Sequence, residues 1–419
     1  MSGETRVPGD KSISHRAAIL GSIAEGTTRI KSFADGDDCN QTLKAFRLMG
    51  MRIGRRRESS TVEIYGRGLH GLREPDGIID VGNSGTSIRL LTGLLSAQPF
   101  FSVLSGDSSV RSRPMKRVVE PLRKMGAQIG GREQSNKAPL AIQGSSLTGI
   151  NYDSPIPSAQ VKSALLLAGL YAQGHTEIRE PLPSRDHTER MLEVFGARIE
   201  AEKGATRISR TEGLKAQEID VPGDLSSAAF FLVAGLITKD SEVNIKGVGI
   251  NQTRNGIIEI LKQMGGDLRL DNVQEISGEP RADITVRSSK LRGVKIDGEL
   301  VVRSIDELPI ICGAAALAEG ETIIQGAGEL RVKETDRIRA MANELIRFGV
   351  KAEEYPEGIR IIGMQRLKGS TCFSYGDHRI AMTLAILGLV TEGKTIVVDT
   401  SCIKSSFPGF WEVLDKLAG

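Results

Sequence analysis

Residues 158–180 read SAQVKSALLLAGLYAQGHTEIRE, and the pattern in this stretch organises the whole chain. A serine precedes a segment rich in Ala and Leu, a glycine follows that segment, and residues 175–180 alternate in the manner of a strand. Serine at a helix N-cap accepts a hydrogen bond from one of the first unpaired N–H groups, and a helix that is apolar nearly all round is typical of a domain interior. The stretch therefore predicts a buried helix followed by a strand.

The same pattern occurs six times in the 419 residues. Its spacing of about 70 residues is longer than the periods of solenoid repeats. The predicted helix starts are small or acidic residues, namely Ser12, Ser84, Ser158, Ser226, Asp306 and Asp377. In five repeats a second, amphipathic helix ends at a glycine suited to a left-handed C-cap, in LMGMRI, KMGAQI, VFGARI, QMGGDL and RFGVKA.

A chain of 419 residues is too long to fold around one hydrophobic core. Six helix–strand–helix–strand units therefore predict two α/β domains of three units each. Repetition within each domain predicts internal pseudo-threefold symmetry, and a site between the two halves is the natural expectation. The order of the strands stays open, because periodicity does not say whether the first strand pairs within the first or the last unit.

Composition excludes several classes of function. Lys and Arg total 55 and Asp and Glu total 52, and this balance argues against a general nucleic-acid binder. No segment approaches the ~20 apolar residues of a membrane-spanning helix, and the N-terminal residues lack the apolar core of a signal peptide. The four cysteines lie far apart without metal-ligand spacing, which predicts free thiols in a reducing cytoplasm.

Three stretches combine Gly, Ser or Thr and a cation near a predicted helix start, and each is suited to binding an anion. They are PGDKSISHR at 8–16, DVGNSGTSIRLL at 80–91 and GDSSVRSRPMKR at 106–117. The first lacks the spacing of a Walker A loop, which disfavours a P-loop kinase. Taken singly, the second is also compatible with an ordinary helix cap and the third with a solvated charged face.

Candidate acid–base residues lie in SIDELPI, VKETDRIRAM and YGDHRIAM. Asp306 is also suited to capping a helix, and Glu334 to a simple pair with Arg337 three residues later. Asp377 is interpreted as a cap rather than a catalyst. His15, His187 and His378 have no metal-ligand spacing, so structural or substrate-orienting roles are favoured over zinc binding.

In this order, the stretches from PGDKSISHR to SSFPGFWEVL resemble the 5-enolpyruvylshikimate-3-phosphate synthases over essentially the whole chain. The resemblance implies the enolpyruvyl transferase fold, with three βαβαββ units in each of two domains arranged as an inside-out barrel. Residues 12–222 would form one domain, and 1–11 with 223–419 the other, with the active site in the cleft between them.

The reaction implied by the resemblance transfers the enolpyruvyl group of phosphoenolpyruvate to the 5-hydroxyl of shikimate 3-phosphate. Phosphate leaves through a tetrahedral intermediate, in a step of chorismate and aromatic amino acid biosynthesis. The resemblance further implies no metal and no organic cofactor, glyphosate as an inhibitor, and a cytoplasmic monomer without nucleic-acid or membrane partners.

The resemblance also assigns site residues. The implied ligands of shikimate 3-phosphate are Lys11, Ser12, Arg16, Ser158, Ala159, Gln160, Arg185, Asp306 and Lys333. The implied ligands of phosphoenolpyruvate are Lys11, Asn83, Gly85, Arg89, Arg113, Gln160, Arg337 and Arg379. The implied catalytic residues are Asp306 as base or orienting acceptor for the 5-hydroxyl, Glu334 as acid for the methylene carbon, and Lys11 as a stabilising or relaying charge.

Some details of the resemblance stay open. The stretches SAQVKSALLLAGL and PSRDHTERML look like the class II branch, in which Ala159 stands where another branch has a second serine. Whether Lys404 or Ser405 contacts phosphoenolpyruvate is undecided, because Lys404 is one residue out of register with the lysine of another branch.

Two alternatives share the fold. One is a UDP-N-acetylglucosamine enolpyruvyl transferase, which typically has Asn after the early Lys and a Cys in a mobile loop; here Ser12 follows Lys11, and residues 111–115 contain no Cys. The other is a noncatalytic anion-binding scaffold, against which the pairing of Asp306 and Glu334 with the cationic set argues.

Overall fold

A computed structural model describes residues 1–56, 60–202 and 204–419, and the chain packs as two units. The N-terminal unit comprises Gly9–Val221 and Ile276–Glu279, and the C-terminal unit comprises Met1–Pro8, Pro222–Glu275 and Pro280–Gly419. Each unit has its own hydrophobic core. The domain boundaries expected from the resemblance stay a prediction, and the packing assigns Gly9–Lys11 to the N-terminal unit.

In its described residues the N-terminal unit has three four-stranded sheets of one topology. In each sheet a short strand pairs parallel to a longer strand, and two antiparallel strands follow. In spatial order the sheets are Glu218–Asp220, Glu25–Lys31, Thr61–Arg67, Arg52–Arg56; Ile79–Asp80, Phe101–Ser105, Lys137–Gln143, Gln128–Gly131; and Asn151–Asp153, His175–Arg179, Ala205–Ser209, Ile199–Glu202. The strand order that periodicity left open is thereby seen, since the last strand of the third repeat joins the sheet of the first.

Three apolar helices, Lys11–Ile23, Gly85–Leu95 and Ala159–Gly169, are buried in this unit as predicted. The other helical segments are Asp37–Leu48, Ser108–Ser112, Lys116–Lys124, Arg132–Ser135 and His187–Val194. The central helices touch backbone to backbone, since a Cβ added to Gly93 would lie 2.1 Å from the Ala164 carbonyl oxygen. The helices Gly85–Leu95 and Ala159–Gly169 therefore pack closely against each other.

The described part of the C-terminal unit repeats the plan less completely, with two four-stranded sheets and two strand pairs. In spatial order these are Ser2–Thr5, Glu242–Gly249, Glu279–Arg287, Asp267–Ile276; Lys295–Ile296, Glu321–Ile324, Gly358–Ile362, Lys351–Tyr355; Leu367–Lys368 with Thr391–Glu392; and Thr371–Phe373 with Ile396–Val398. Its α-helices are Leu225–Ile237, Gly256–Gln263, Gly298–Ser304, Leu308–Ala315, Arg337–Arg347, His378–Gly388 and Phe410–Ala418, with 3-10 turns at Gly328–Val332 and Thr400–Ser405. Within residues 1–56, 60–202 and 204–419, no helix is both long and apolar enough to cross a membrane.

The predicted left-handed glycine caps are confirmed in all five repeats. Their φ angles lie between +84° and +101°, at Gly50, Gly126, Gly196, Gly265 and Gly349. Glycine adopts this conformation without the steric cost that a Cβ imposes, so a local sequence signal is enough to predict it.

The predicted helix starts are only partly confirmed. Ser84, Ser158 and Asp377 are N-caps whose side chains accept a helical N–H. The other three positions were wrong: Asp10 caps the helix in which Ser12 lies, Asp224 caps the helix in which Ser226 lies, and Asp306 lies in a turn before the helix capped by Glu307. At the first two positions a nearby Asp takes the capping role, because its carboxylate also accepts helical N–H groups.

Candidate active site

The N-terminus of the helix Gly85–Leu95 lies beside two guanidinium groups. A Cβ added to Gly85 would lie 2.6 Å from Arg113 Nη1 and 3.2 Å from Arg89 Nη1. Both arginines are buried, with 8% of Arg89 and 7% of Arg113 exposed. Two cations over the first turn of a helix form a site for an anion, because the unpaired N–H groups of that turn add to their charge.

Hydrogen bonds to neutral side chains orient the guanidinium groups of Arg89 and Arg113. Arg113 Nη2 donates to Asn83 Oδ1 at 2.8 Å, and Arg89 Nη1 donates to Gln160 Oε1. Gln160 Nε2 donates in turn to Thr86 Oγ1 at 3.0 Å. Gln160 lies in the first turn of the helix Ala159–Gly169, so it joins two helix N-termini. Five predicted phosphoenolpyruvate ligands of the N-terminal unit are thus brought together.

Arg16 forms a second cationic position in this unit. Only 4% of the residue is exposed, yet its hydrogen-bond partners are neutral: Nε donates to Thr188 Oγ1 at 2.6 Å and Nη2 to Ser163 Oγ at 2.7 Å. The pKa of Arg16 is lowered to about 10, chiefly by burial; the charges of Glu189 and Asp10 oppose this effect, and the charge of Arg185 adds to it. A buried cation with neutral partners is stabilised by a bound anion.

Other predicted ligands lie at the starts of the buried helices. Lys11 is the first residue of its helix, and its Nζ lies 3.0 Å from Asp38 Oδ2. Ser158 is the N-cap of the next buried helix, since its Oγ accepts from Val161 N at 3.4 Å, and Ala159 is the first residue of that helix. The side chain of Lys11 is therefore already oriented by a carboxylate.

His15 is a structural residue of this unit. Its Nδ1 lies 2.7 Å from Thr42 Oγ1, and the side chain is fully buried. Burial, together with the charges of Lys11 and Arg16, lowers the pKa of His15 to about 3. The imidazole is therefore neutral at physiological pH and adds no charge beside the cations.

In the C-terminal unit, Arg337 is surrounded by carboxylates. Its Nε lies 2.7 Å from Asp377 Oδ2 and its Nη2 lies 2.6 Å from Glu334 Oε2, while Nη1 lies 3.6 Å from Asp306 Oδ1. Burial alone would lower the pKa of Arg337, but Asp377, Glu334 and Asp306 outweigh it and raise that pKa. The guanidinium is therefore permanently charged and connects the two candidate acid–base residues.

Asp306 faces two further cations. Lys333 Nζ lies 3.7 Å from Asp306 Oδ1, and Arg379 Nη2 lies 4.0 Å from Oδ2. Arg379 Nη1 also donates to the Asp306 carbonyl oxygen at 2.9 Å. All five predicted site residues of the C-terminal unit thus belong to one cluster.

The alternatives weighed for this cluster have mixed outcomes. Asp377 is a cap as predicted, since it accepts from Arg379 N at 2.8 Å, and it also binds Arg337. The Glu334–Arg337 pair exists, although Arg337 is buried and the pair is not a simple surface contact. Lys404 is exposed, whereas Ser405 Oγ donates to Cys402 O at 2.8 Å.

Two further predictions for the described residues concern metal binding and the cysteines. In residues 1–56, 60–202 and 204–419, no group of three or more His, Cys, Asp or Glu side chains is placed to hold a metal ion. As predicted, no disulfide links Cys39, Cys312, Cys372 or Cys402.

Comparison with known proteins identifies the family. The sequence model described as EPSP synthase (3-phosphoshikimate 1-carboxyvinyltransferase) matches residues 1–414. The chain belongs to the EPSP synthase family. It is 59% identical over 413 residues to a 3-phosphoshikimate 1-carboxyvinyltransferase of Geobacter sp. (strain M21), covering 99% of this chain and 96% of that protein. Its relative of that name in Citrifermentans bemidjiense is 58% identical, with the same coverage.

Solved structures agree with this assignment to the EPSP synthase family. An EPSP synthase from Acinetobacter baumannii has a TM-score of 0.88 at 46% identity, covering 99% of this chain and 95% of that one. The enolpyruvyl transferase NikO from Streptomyces tendae has a TM-score of 0.80 at 21% identity and covers 100% and 95%, which shows a likeness of fold alone. The predicted mixed α/β enolpyruvyl transferase fold is confirmed.

One charged cluster near the predicted site residues of the N-terminal unit was not predicted from the sequence. Lys162 lies one turn into the helix Ala159–Gly169, and its Nζ is 2.9 Å from Glu180 Oε2 and 2.7 Å from Glu189 Oε1. The available signal was a lysine inside the apolar run AQVKSALLLAG, because a buried lysine requires a charged partner.

Proposed function

We propose that this chain transfers the enolpyruvyl group of phosphoenolpyruvate to the 5-hydroxyl of shikimate 3-phosphate and releases phosphate. Identity of 59% and 58% over nearly the whole chain to enzymes named 3-phosphoshikimate 1-carboxyvinyltransferase supports this activity. The structural observation that carries the chemistry is the contact of both Asp306 and Glu334 with the buried Arg337. Two carboxylates beside one fixed cation are suited to taking and giving protons at neighbouring atoms.

The substrates are assigned by charge. We propose that the phosphate of phosphoenolpyruvate binds at the start of the helix Gly85–Leu95, where Arg89 and Arg113 approach Gly85. The sugar phosphate is assigned to Arg16 and its surroundings, because Arg16 is buried among neutral partners. The larger proposed set for shikimate 3-phosphate comprises Lys11, Ser12, Arg16, Ser158, Ala159, Gln160, Arg185, Asp306 and Lys333.

The proton balance follows from the two carboxylates. In the addition step, the 5-hydroxyl oxygen bonds to the substituted enol carbon and its proton passes to Asp306, while the methylene carbon receives a proton from Glu334. In the elimination step, the new methyl group returns a proton to the Glu334 carboxylate, the C=C double bond re-forms, and the bond from carbon to the phosphate oxygen breaks. The proton held by Asp306 passes to the departing phosphate, which restores both carboxyl groups to their starting states. We propose that Lys11 stabilises the charge that develops between these steps.

Neutralisation explains why so many cations are needed. Two multiply charged anions repel each other at close range, and the repulsion grows as water is excluded. Residues of both units are assigned to the same pair of substrates, so we propose that the reaction takes place in a cleft between the units and depends on both substrates being bound. We further propose that the enzyme acts as a cytoplasmic monomer and that glyphosate inhibits it.

A phosphate-release assay tests the activity. We expect phosphate release from phosphoenolpyruvate only when shikimate 3-phosphate is the acceptor, with one phosphate per enolpyruvyl product. UDP-N-acetylglucosamine serves as the control acceptor, because the sister enzyme uses it. Release with that acceptor would favour the sister activity, and no release with either would favour the noncatalytic scaffold.

Arg16→Ala tests the sugar-phosphate assignment. Loss of a buried charge-assisted contact is expected to weaken shikimate 3-phosphate binding by about 10-fold or more, from the ~1.5–3 kcal/mol that such hydrogen bonds contribute. Isothermal titration with shikimate 3-phosphate alone provides the measurement. Arg29→Ala, which removes an exposed arginine of the same unit, is the control. An unchanged isotherm for Arg16→Ala would refute the assignment.

Gly85→Ala tests the phosphoenolpyruvate assignment. The added methyl group would displace Arg113 Nη1, which lies 2.6 Å from the ideal Cβ position, so we expect a higher KM for phosphoenolpyruvate and weaker inhibition by glyphosate. Gly77→Ala is the matched control, because nothing lies within 4 Å of its added Cβ. Steady-state kinetics with and without glyphosate measure both effects. Equal inhibition of Gly85→Ala and the wild type by glyphosate would contradict the proposal that glyphosate binds beside Gly85.

A further inference from the structure

The buried ammonium group of Lys162 is bonded to three different segments of the N-terminal unit. Only 4% of the residue is exposed, and its Nζ contacts Glu180 at 2.9 Å and Glu189 at 2.7 Å. It also donates to the Ser184 carbonyl oxygen at 3.3 Å. Glu180 directly follows the strand His175–Arg179, Ser184 lies in the loop after it, and Glu189 lies in the helix His187–Val194. We name Lys162, Glu180 and Glu189 the lysine hub.

Glu180 extends the hub to the start of the helix Ala159–Gly169. Its Oε1 accepts from Ser158 N at 3.0 Å, which fixes the backbone next to Ala159. Its Oε2 accepts from Ser184 Oγ at 2.8 Å and from Ser184 N at 3.3 Å. Ser184 is therefore bonded to the hub through its N–H, hydroxyl and carbonyl groups, and the next residue along the chain is Arg185.

Glu189 extends the hub toward Arg16. The neighbouring residue Thr188 accepts from Arg16 Nε at 2.6 Å, and Thr188 Oγ1 also lies 2.6 Å from Ser163 Oγ. The charge of Glu189 raises the pKa of Arg16 against the effect of burial. The hub therefore bonds directly to Ser158 and to Ser184, the neighbour of Arg185, and it includes the residue next to Thr188, which binds Arg16.

Stability alone does not account for this arrangement. Burial lowers the pKa of Lys162, but Glu189 and Glu180 more than compensate and raise it, so the ammonium group keeps its positive charge in the interior. Apolar residues of similar volume replace buried ion pairs at little or no loss of stability in other proteins. A buried charged group with several directional bonds instead holds distant segments in one geometry.

We propose that the lysine hub positions the ligands of the sugar phosphate. Lys162, Glu180 and Glu189 are positioning residues that act through Ser158, Arg185 and Arg16. This inference rests on the proposed function, because it assumes that those three residues bind shikimate 3-phosphate. The hub holds them in place before the ligand arrives, so less ordering is needed on binding.

Lys162→Met and the double variant Lys162→Met/Glu189→Gln test the proposal. The single variant leaves two buried carboxylates without their cation and is expected to lower Tm. The double variant removes one of those charges and is expected to recover most of that Tm. Isothermal titration at 25 °C is expected to show at least 10-fold weaker binding of shikimate 3-phosphate in both variants. The reason is that Ser158, Arg185 and Arg16 would no longer be held in the positions from which they contact the sugar phosphate. The KM for phosphoenolpyruvate is expected to change by less than about 3-fold, since Gln160 and Arg89 keep their contact.

Two controls separate the possible results. Tyr171→Phe, just beyond the other end of the same helix, removes a half-buried hydroxyl that donates to Leu69 O at 2.9 Å, and it is expected to retain wild-type binding. Arg16→Ala is titrated in parallel. Wild-type binding in the folded double variant, with weakened binding in Arg16→Ala, would overturn the positioning role. Unchanged binding in Arg16→Ala would overturn the ligand assignment itself.

Discussion

Glu334→Gln is expected to lower kcat by ~10²-fold or more, which is the usual contribution of a general acid or base. Glu334 Oε2 accepts from Arg337 Nη2 at 2.6 Å, and this contact orients the carboxyl group, although Glu334 itself is not one of the residues proposed to bind shikimate 3-phosphate. Gln has nearly the same shape and keeps an oxygen for Arg337, but it has no proton to deliver to the methylene carbon. Shikimate 3-phosphate binding is therefore expected to stay near the wild-type value.

Steady-state turnover and titration of shikimate 3-phosphate measure the two effects separately. Glu357→Gln is the control, because Glu357 is an exposed carboxylate of the same unit. If Glu334→Gln turned over at near the wild-type rate, Glu334 would have no part in the proton transfers, and its contact with Arg337 would be a structural pair only.

Arg337→Met is expected to lower the free energy of unfolding by about 3–5 kcal/mol, the usual effect of removing one partner of a buried ion pair. Arg337 is 1% exposed and contacts Asp306, Glu334 and Asp377. Its loss leaves these carboxylates to repel one another in a poorly solvated environment. Turnover should also fall steeply, because both candidate acid–base groups lose the cation that orients them.

Chemical unfolding followed by Trp411 fluorescence measures this effect in the C-terminal unit, since Trp411 is the single tryptophan of the chain. Arg339→Met is the matched control: Arg339 lies on the same helix, is exposed, and pairs with Glu354 at 3.3 Å. A surface pair contributes only about 0–1 kcal/mol. Equal destabilisation by the two substitutions would show that the buried cluster is not held together by Arg337.

The pH dependence of this difference has a definite sign. The folded state raises the pKa of Arg337 above its already strongly alkaline unfolded value, so the stabilisation is fully present below the unfolded pKa and is lost only as pH rises through the folded pKa. The difference in stability between wild type and Arg337→Met is therefore expected to persist when the pH is raised to about 10. A difference that vanished on this rise in pH would contradict a permanently charged guanidinium.

Local signals predicted much of the fold. The five cap glycines have positive φ angles because a left-handed residue after a helix C-terminus satisfies its unpaired carbonyl groups, and this local device depends only on neighbours in the chain. The burial of the apolar helices was also predictable from local sequence, because a helix that is apolar nearly all round is typical of a domain interior. Ser12, Ser226 and Asp306 were wrong as caps, since several polar residues adjoin each helix start and the sequence does not rank them.

The candidate site was predicted through resemblance, and the structure adds the contacts. Gly85 lies against Arg113, which is 28 positions later in the chain, and Arg337 binds Asp377 across 40 positions. The lysine hub was not predicted, although Lys162 was conspicuous in an apolar helix. Its partners Glu180 and Glu189 lie 18 and 27 positions away, too far for any helical or strand period to indicate them.

The sequence by itself determined the repeated helix and strand units, the glycine caps and the membership of an enolpyruvyl transferase family. These properties follow from short-range periodicity and from residue order, both of which are present in the linear chain. Tertiary structure alone decided which strand completes each sheet and which charges neutralise one another. Such choices depend on the distance between side chains far apart in sequence, and only the packing of the buried helices sets that distance.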